Sequence, residues 1–199
     1  MSGLDDVEPE DPDALPELDD DYLDRVARRL MFNYDLDADV GFGGETFDLY
    51  GEMLLESQKH FLHPSVNYAN HASTEHLFVR RADGVSVADL EALVDLGHDL
   101  ADDWIDPSAE HYSTDFTFAV VAPHLSEDVR SFVSGFKDRT LLRYGFNGHY
   151  EINLLVATPE AEDVVASASA DVGQAFAVWE SIERKQPGLL DLIIRRLQV

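Results

Sequence analysis

The chain has 199 residues, 40 acidic and 14 basic side chains and no cysteine, for a formal charge of −26. That length implies one domain with a tail, and the missing cysteine excludes disulfides, zinc thiolates and thiol nucleophiles. No apolar run approaches the ~18 residues of a membrane span, and the first base is Arg25, so no secretory signal is expected and the expected location is cytoplasmic.

The acidity argues against direct nucleic-acid binding, which needs a basic surface to release counterions. Disorder over the whole chain is opposed by the 45% hydrophobic content. A DNA mimic remains as one alternative. The kind of charge favours another: Asp outnumbers Glu 25 to 15, and Lys59, Lys137 and Lys185 are the only lysines against 11 arginines. This pattern is similar to haloarchaeal cytosolic proteins, whose carboxylates hold hydrated cations. In molar salt the Debye length is about 3 Å, so self-repulsion is screened. No other cofactor is evident.

Residues 1–19 hold eight acids, no base and three prolines, which predicts a solvated, disordered arm. Tyr22, Leu23, Val26, Leu30 and Met31 then repeat at helical spacing behind three aspartates, predicting a helix over 20–33. Asp35-x-Asp37-x-Asp39 looks like the opening of a calcium loop. Gly and Glu are missing at the sixth and twelfth positions, where Val40 and Thr46 stand, so a solvated turn is the plainer expectation. From Phe47 to Glu56 the pattern alternates, with Phe47, Leu49, Gly51, Met53 and Leu55 on one face of a strand. Residues 62–73 read as a loop and Glu75–Arg81 as a strand. His60-x-x-His63 are weak metal candidates, since they would face opposite ways if extended.

Ser86 with Asp89 opens a helix whose stripe runs from Leu90 to Trp104. Tyr112–Ala122 is apolar on both faces and reads as a central strand. Asp115 within it needs a partner; Arg80, Arg139 and Arg143 are the candidates. Ser126 caps a short helix, with Lys137 and Arg139 placed to complement its C-terminus. Asn147-Gly148 predicts a type I′ hairpin pairing Phe146 with His149, Tyr144 with Glu151 and Leu142 with Asn153. A second hairpin is expected through Pro159–Asp163, then a helix near 172–185. The end of the chain is strongly apolar, and Leu189, Leu192, Ile193 and Leu197 would pack on the sheet, form a homodimer contact or meet a partner helix.

His149, Glu151 and Asn153 alternate on one strand face, with Tyr144 expected opposite. This is the densest polar cluster the pattern places, and could hold an acid/base pair or a ligand. The order helix, strand, strand, strand, helix, strand also matches a restriction-endonuclease-like core. In that reading Asp48 and Glu75 would hold a metal, but Leu77 stands where lysine is required.

At Glu75–Arg81, Asp102–Pro107, Thr114–Phe118 and the run from Arg130 through Tyr144 to Glu151, the chain resembles an uncharacterised domain family of haloarchaea. The likeness covers about residues 20–167 and implies organism type and location, with no activity to carry over. Three parts are therefore expected: an acidic arm at 1–19, an α+β domain at 20–167 and a C-terminal helical extension at 168–199. The domain is a single mixed, mostly antiparallel sheet flanked by helices. The expected function is a non-catalytic interaction or regulatory protein of a halophile cytosol, the alternative a metal-dependent hydrolase or degenerate nuclease-like enzyme.

Overall fold

Asp20 starts the first helix by accepting the backbone N–H groups of Tyr22 and Leu23 at 2.8 and 3.0 Å, which satisfies donors that a helix end leaves open. The computed structural model describes residues 15–57, 71–106, 108 and 111–180. In chain order these form α1 (Asp21–Leu30), β1 (Asp35–Phe42), β2 (Glu45–Ser57), β3 (His71–Arg81), α2 (Val87–Trp104), β4 (His111–Val121), α3 (Glu127–Gly135), β5 (Asp138–Leu141), β6 (His149–Thr158), β7 (Asp163–Ala166) and α4 (Gly173–Phe176). The strands make one sheet in the order β1-β2-β3-β4-β6-β5, with β7 also on β6. The architecture is α+β with a mixed sheet, as the pattern implied.

β1, β2 and β3 form an antiparallel meander, whereas β3, β4 and β6 run parallel. Parallel neighbours need a crossover, and α2 and α3 supply the two. β5 pairs with residues 149–152 of β6 and β7 with residues 155–158, so the two short strands lie end to end along one edge.

Successive strand residues point to opposite faces, and each face has its own core. On one, Leu90, Leu93, Leu100, Val129 and Val133 of α2 and α3 meet Phe47, Phe78, Phe116, Phe118, Ile152 and Leu154. On the other, Tyr22, Leu23, Val26 and Leu30 of α1 and Phe176 of α4 meet Leu49, Leu77, Val79, Ala119, Leu155 and Ala157. Phe47 and Leu49 therefore serve different faces, although strict alternation put them on one. β2 changes face at Asp48, whose carboxylate accepts the Arg81 backbone N–H at 2.6 Å.

Other expectations are corrected. Residues 35–42 are a strand rather than a turn or calcium loop. Lys137 and Arg139 do not end α3, which has no base in its last turn; Arg139 belongs to β5. The Asn-Gly hairpin is replaced by a wider turn. Leu141 pairs with His149 and Arg139 with Glu151, while Arg143, Tyr144, Gly145 and Gly148 take positive φ and Asn147 does not. A type I′ turn needs both central residues at positive φ, so that register is lost. The helix expected over 172–185 stops at Phe176.

The packed domain nevertheless runs past residue 167. The Tyr22 hydroxyl donates to the Phe176 carbonyl at 2.7 Å, and Phe176 is fully buried. Arg29 donates to the carbonyls of Gln174, Ala177, Val178 and Glu180. His60, His63 and the apolar stretch Leu189, Leu192, Ile193 and Leu197 lie outside the described residues, as do most of the acidic arm and the end of the C-terminal extension. Among the described residues no helix is long and apolar enough to cross a membrane.

Candidate functional site: a polar row and an aromatic tip

The apolar contacts of α1 and α4 end at Leu77, Ala119 and Leu155. Nearer the starts of the parallel strands the same face turns polar. Glu75, Asp115 and Glu151 are register partners on β3, β4 and β6, and Arg139 on β5 completes the row. Strands lie about 4.8 Å apart, so Glu75 and Glu151 are separated by about 10 Å. One step along, Ser73, Ser113 and His149 form a second row, closed by Leu141.

The local bonds are specific. Glu151 Oε1 is 3.4 Å from Arg139 Nε and 3.5 Å from His149 Nε2, and Arg139 also approaches His149 Nδ1 at 3.3 Å. Ser113 donates its hydroxyl to Ser73 at 3.0 Å rather than to an imidazole. The Tyr34 hydroxyl donates to Glu75 at 2.9 Å. Asn153 is buried and accepts from the Ser167 hydroxyl at 3.3 Å, a bond that helps close β7 onto β6. Of the arginines offered to Asp115, Arg80 instead bonds Glu45 at 2.7 Å and Arg139 meets Glu151.

Asp48 is not part of this group. In the β2–β3 ladder Glu75 faces Met53, five residues from Asp48, or about 16 Å along the strand. Asp48 instead lines a cleft of about 510 Å³ with Asp39, Glu45, Arg80 and Arg81. Both arginines there are engaged, Arg80 with Glu45 and Arg81 with Asp20. The nuclease-like element order is present, but the two carboxylates it needs do not meet, and Leu77 is buried in the core. Asp35, Asp37 and Asp39 project from β1 as exposed residues. Among the described residues no group of three or more His, Asp or Glu side chains is placed to hold a metal ion.

On the opposite face His76 is buried against Phe116, Tyr50 and Trp104, with its Nδ1 2.7 Å from the Tyr50 hydroxyl. Burial lowers its pKa to about 4, because a charged imidazole loses its hydration there. It lines a second cleft of about 360 Å³ with Glu52, Asp106 and His111. A neutral, ring-packed histidine of this kind serves the core.

Just beyond the polar row, the turn after β5 carries the two most exposed large apolar side chains among the described residues, and Leu141 at the end of β5 stands beside them. Tyr144 is 96% exposed, Phe146 88% and Leu141 58%. Leu142 N–H donates to Gly148 O at 3.0 Å and Asn147 N–H to Leu142 O at 3.3 Å, while His111 Nδ1 lies 2.8 Å from Asn147 O. A Cβ on Gly148 would sit 2.1 Å from the Tyr112 carbonyl oxygen, so only glycine allows β6 to begin this close to β4. The turn is thus held from both sides and points its rings outward. Tyr144 was expected to face Glu151; Arg139 takes that place. The available signal for a tip was Gly145 together with Gly148, two residues suited to positive φ on either side of Phe146.

The model of a family described as Domain of unknown function (DUF8052) matches residues 19–178. No curated protein and no solved structure matches the chain.

Proposed function

The chain belongs to this family of unknown function, and from its geometry we propose that it is a non-catalytic interaction or regulatory protein of a halophilic archaeal cytosol. The observation that carries the reading is the tip, where Tyr144 and Phe146 stand in solvent on a turn fixed by hydrogen bonds. Large rings are costly to leave in water, and exposed apolar patches on a protein surface mark contact sites. Holding them out in advance lowers the ordering cost of binding. The turn also contains two successive non-glycine residues, Arg143 and Tyr144, at φ 46° and 61°, a costly conformation of the kind that gathers at functional sites.

The alternative, a metal-dependent hydrolase or degenerate nuclease, draws on the His149–Glu151 contact as an acid/base pair. It is less well supported, because Asp48 lies at the far end of its strand and Ser113 bonds Ser73. Hydrated cations at the acidic surface are the only non-protein component proposed. The apolar run of Leu189, Leu192, Ile193 and Leu197 is a second candidate contact, for a homodimer or a partner helix.

The test is photo-crosslinking in the native host, with benzoylphenylalanine in place of Tyr144 and, as control, in place of exposed Glu91 on α2. A discrete adduct is expected from position 144 and not from 91. No adduct at 144, or equal adducts at both, would remove the support for an interaction role through this surface.

A further inference from the structure

We propose that β5 and the turn after it form a docking edge for an extended, acidic segment of a partner protein. This deepens the interaction reading above and rests on it. Three independent observations converge on this edge.

The first is topological. β5 ends the strand order of the sheet. An edge strand presents a row of backbone N–H and C=O groups on its outer side, which another extended chain can pair with. β7 occupies only the far end of β6, so the edge at β5 is offered by β5 itself.

The second is charge. Lys137, Arg139 and Arg143 fall within seven residues, three of the 14 bases in a chain of formal charge −26. All three are exposed. The acid among them, Asp138, lies with its carboxylate 3.1 Å from His98 Nε2 and is half-buried. Arg139 is met by Glu151, so Lys137 and Arg143 are the bases this edge offers on an acidic protein, and they select an acidic occupant over a basic one.

The third is apolar. Leu141, Tyr144 and Phe146 are exposed beside those bases. Along a strand, alternate side chains share a face, so Lys137 and Leu141 lie on one face of this edge, and an added strand would meet the base with an acid at one end and meet Leu141 and the rings of the turn with apolar groups at the other. Basic and aromatic side chains together would also suit single-stranded nucleic acid. The strand edge, which no strand among the described residues covers, favours protein, because its backbone groups match another peptide backbone.

Random twelve-residue peptides are displayed and selected on the full-length chain, at the lowest KCl concentration at which circular dichroism shows it folded. The Tyr144→Ser/Phe146→Ser variant is used for counter-selection. Enriched peptides of net negative charge that also carry apolar residues are expected. Their binding, read by fluorescence anisotropy, should fall at least tenfold with Lys137→Glu/Arg143→Glu and with Tyr144→Ser/Phe146→Ser. If the charge reversal unfolds the chain, Lys137→Gln/Arg143→Gln replaces it, with a smaller loss expected. Enrichment of neutral or basic peptides, no enrichment, tighter binding of a fifteen-nucleotide oligothymidine, or a concentration-dependent dimer lost in these variants would each overturn the proposal. A crosslink at position 144 without acidic peptides rejects this inference alone; no crosslink rejects the reading beneath it.

Discussion

Arg139 and Glu151 face each other across the β5–β6 ladder, with Nε 3.4 Å from Oε1, and His149 shares the same carboxylate oxygen at 3.5 Å. The pair helps hold the register that sets the turn after β5, because a shift would move Arg139 away from the acid. The Arg139 side chain is 46% exposed, so solvent screens much of the attraction and the coupling should be about 0.5–1 kcal/mol. A double-mutant cycle of Arg139→Met and Glu151→Gln, read by chemical denaturation in molar KCl, should return a coupling in that range. A coupling near zero would mean that the turn keeps its register by backbone bonds alone.

Helix α2 packs tightly on the sheet at Gly97. A Cβ there would lie 2.9 Å from Cε2 of Phe118 and 3.0 Å from Cδ1 of Ile152. Gly97→Ala should therefore destabilise the protein by about 1–3 kcal/mol, since overpacking outweighs alanine's better helix propensity. Gly84→Ala, where nothing lies within 4 Å, is the control and should change stability by no more than about 0.5 kcal/mol. Equal effects at both positions would contradict the close approach.

His76 gives a pH dependence with a defined sign. Its pKa is lowered from 6.5 to about 4 by burial. Above 6.5 the imidazole is neutral both folded and unfolded. As pH falls below 6.5 the unfolded chain gains a proton that the folded one refuses, so stability is lost until pH reaches about 4. The loss attributable to His76 should be about 2 kcal/mol between pH 7 and pH 5. His76→Gln, which keeps a polar partner for Tyr50, should flatten the stability profile by that amount relative to wild type. Parallel profiles for the two proteins would show that His76 titrates normally.

The acidic surface makes a separate prediction about salt. Only 14 bases stand against 40 acids, so most carboxylates have no base to pair with, and like charges repel more strongly as the Debye length grows from about 3 Å in molar salt to about 10 Å at 0.1 M. A circular-dichroism melt should show loss of structure at low KCl, restored by molar KCl. A melting temperature unchanged between 0.1 M and 2 M would argue against a halophilic design.

Much of this fold was legible because its signals are local. Ser86 and Asp89 form a capping box, Ser126 caps α3, and the apolar run of β4 marks a central strand buried on both faces. What misled were signals decided by long-range contacts. Asn147-Gly148 suits a two-residue hairpin in isolation, yet Gly148 is committed to the Tyr112 carbonyl, and the turn widens around it. Asp35, Asp37 and Asp39 look loop-like from composition, but pairing with β2 makes them a strand. For the candidate site, alternation correctly placed His149 and Glu151 on one face. The alignment of Glu75 and Asp115 beside them depends on strand order, which no local pattern encodes.

The clamp of Arg29 on the residues after β7 carries the last prediction. Its guanidinium donates to the carbonyls of Gln174, Ala177, Val178 and Glu180 at 2.6–3.3 Å. Gln174 lies in a helix of four residues, too short to satisfy its own carbonyls, and the other three follow it. A planar fork with five donors can serve several acceptors at once, whereas lysine offers a single point charge. Arg29→Lys should therefore cost about 1–2 kcal/mol although the charge is kept, and Arg29→Met about 2–3 kcal/mol. Hydrogen exchange should show the loss first in residues 174–180, with the β3 and β4 amides still protected. If lysine proves neutral, the charge rather than the fork holds this segment against α1.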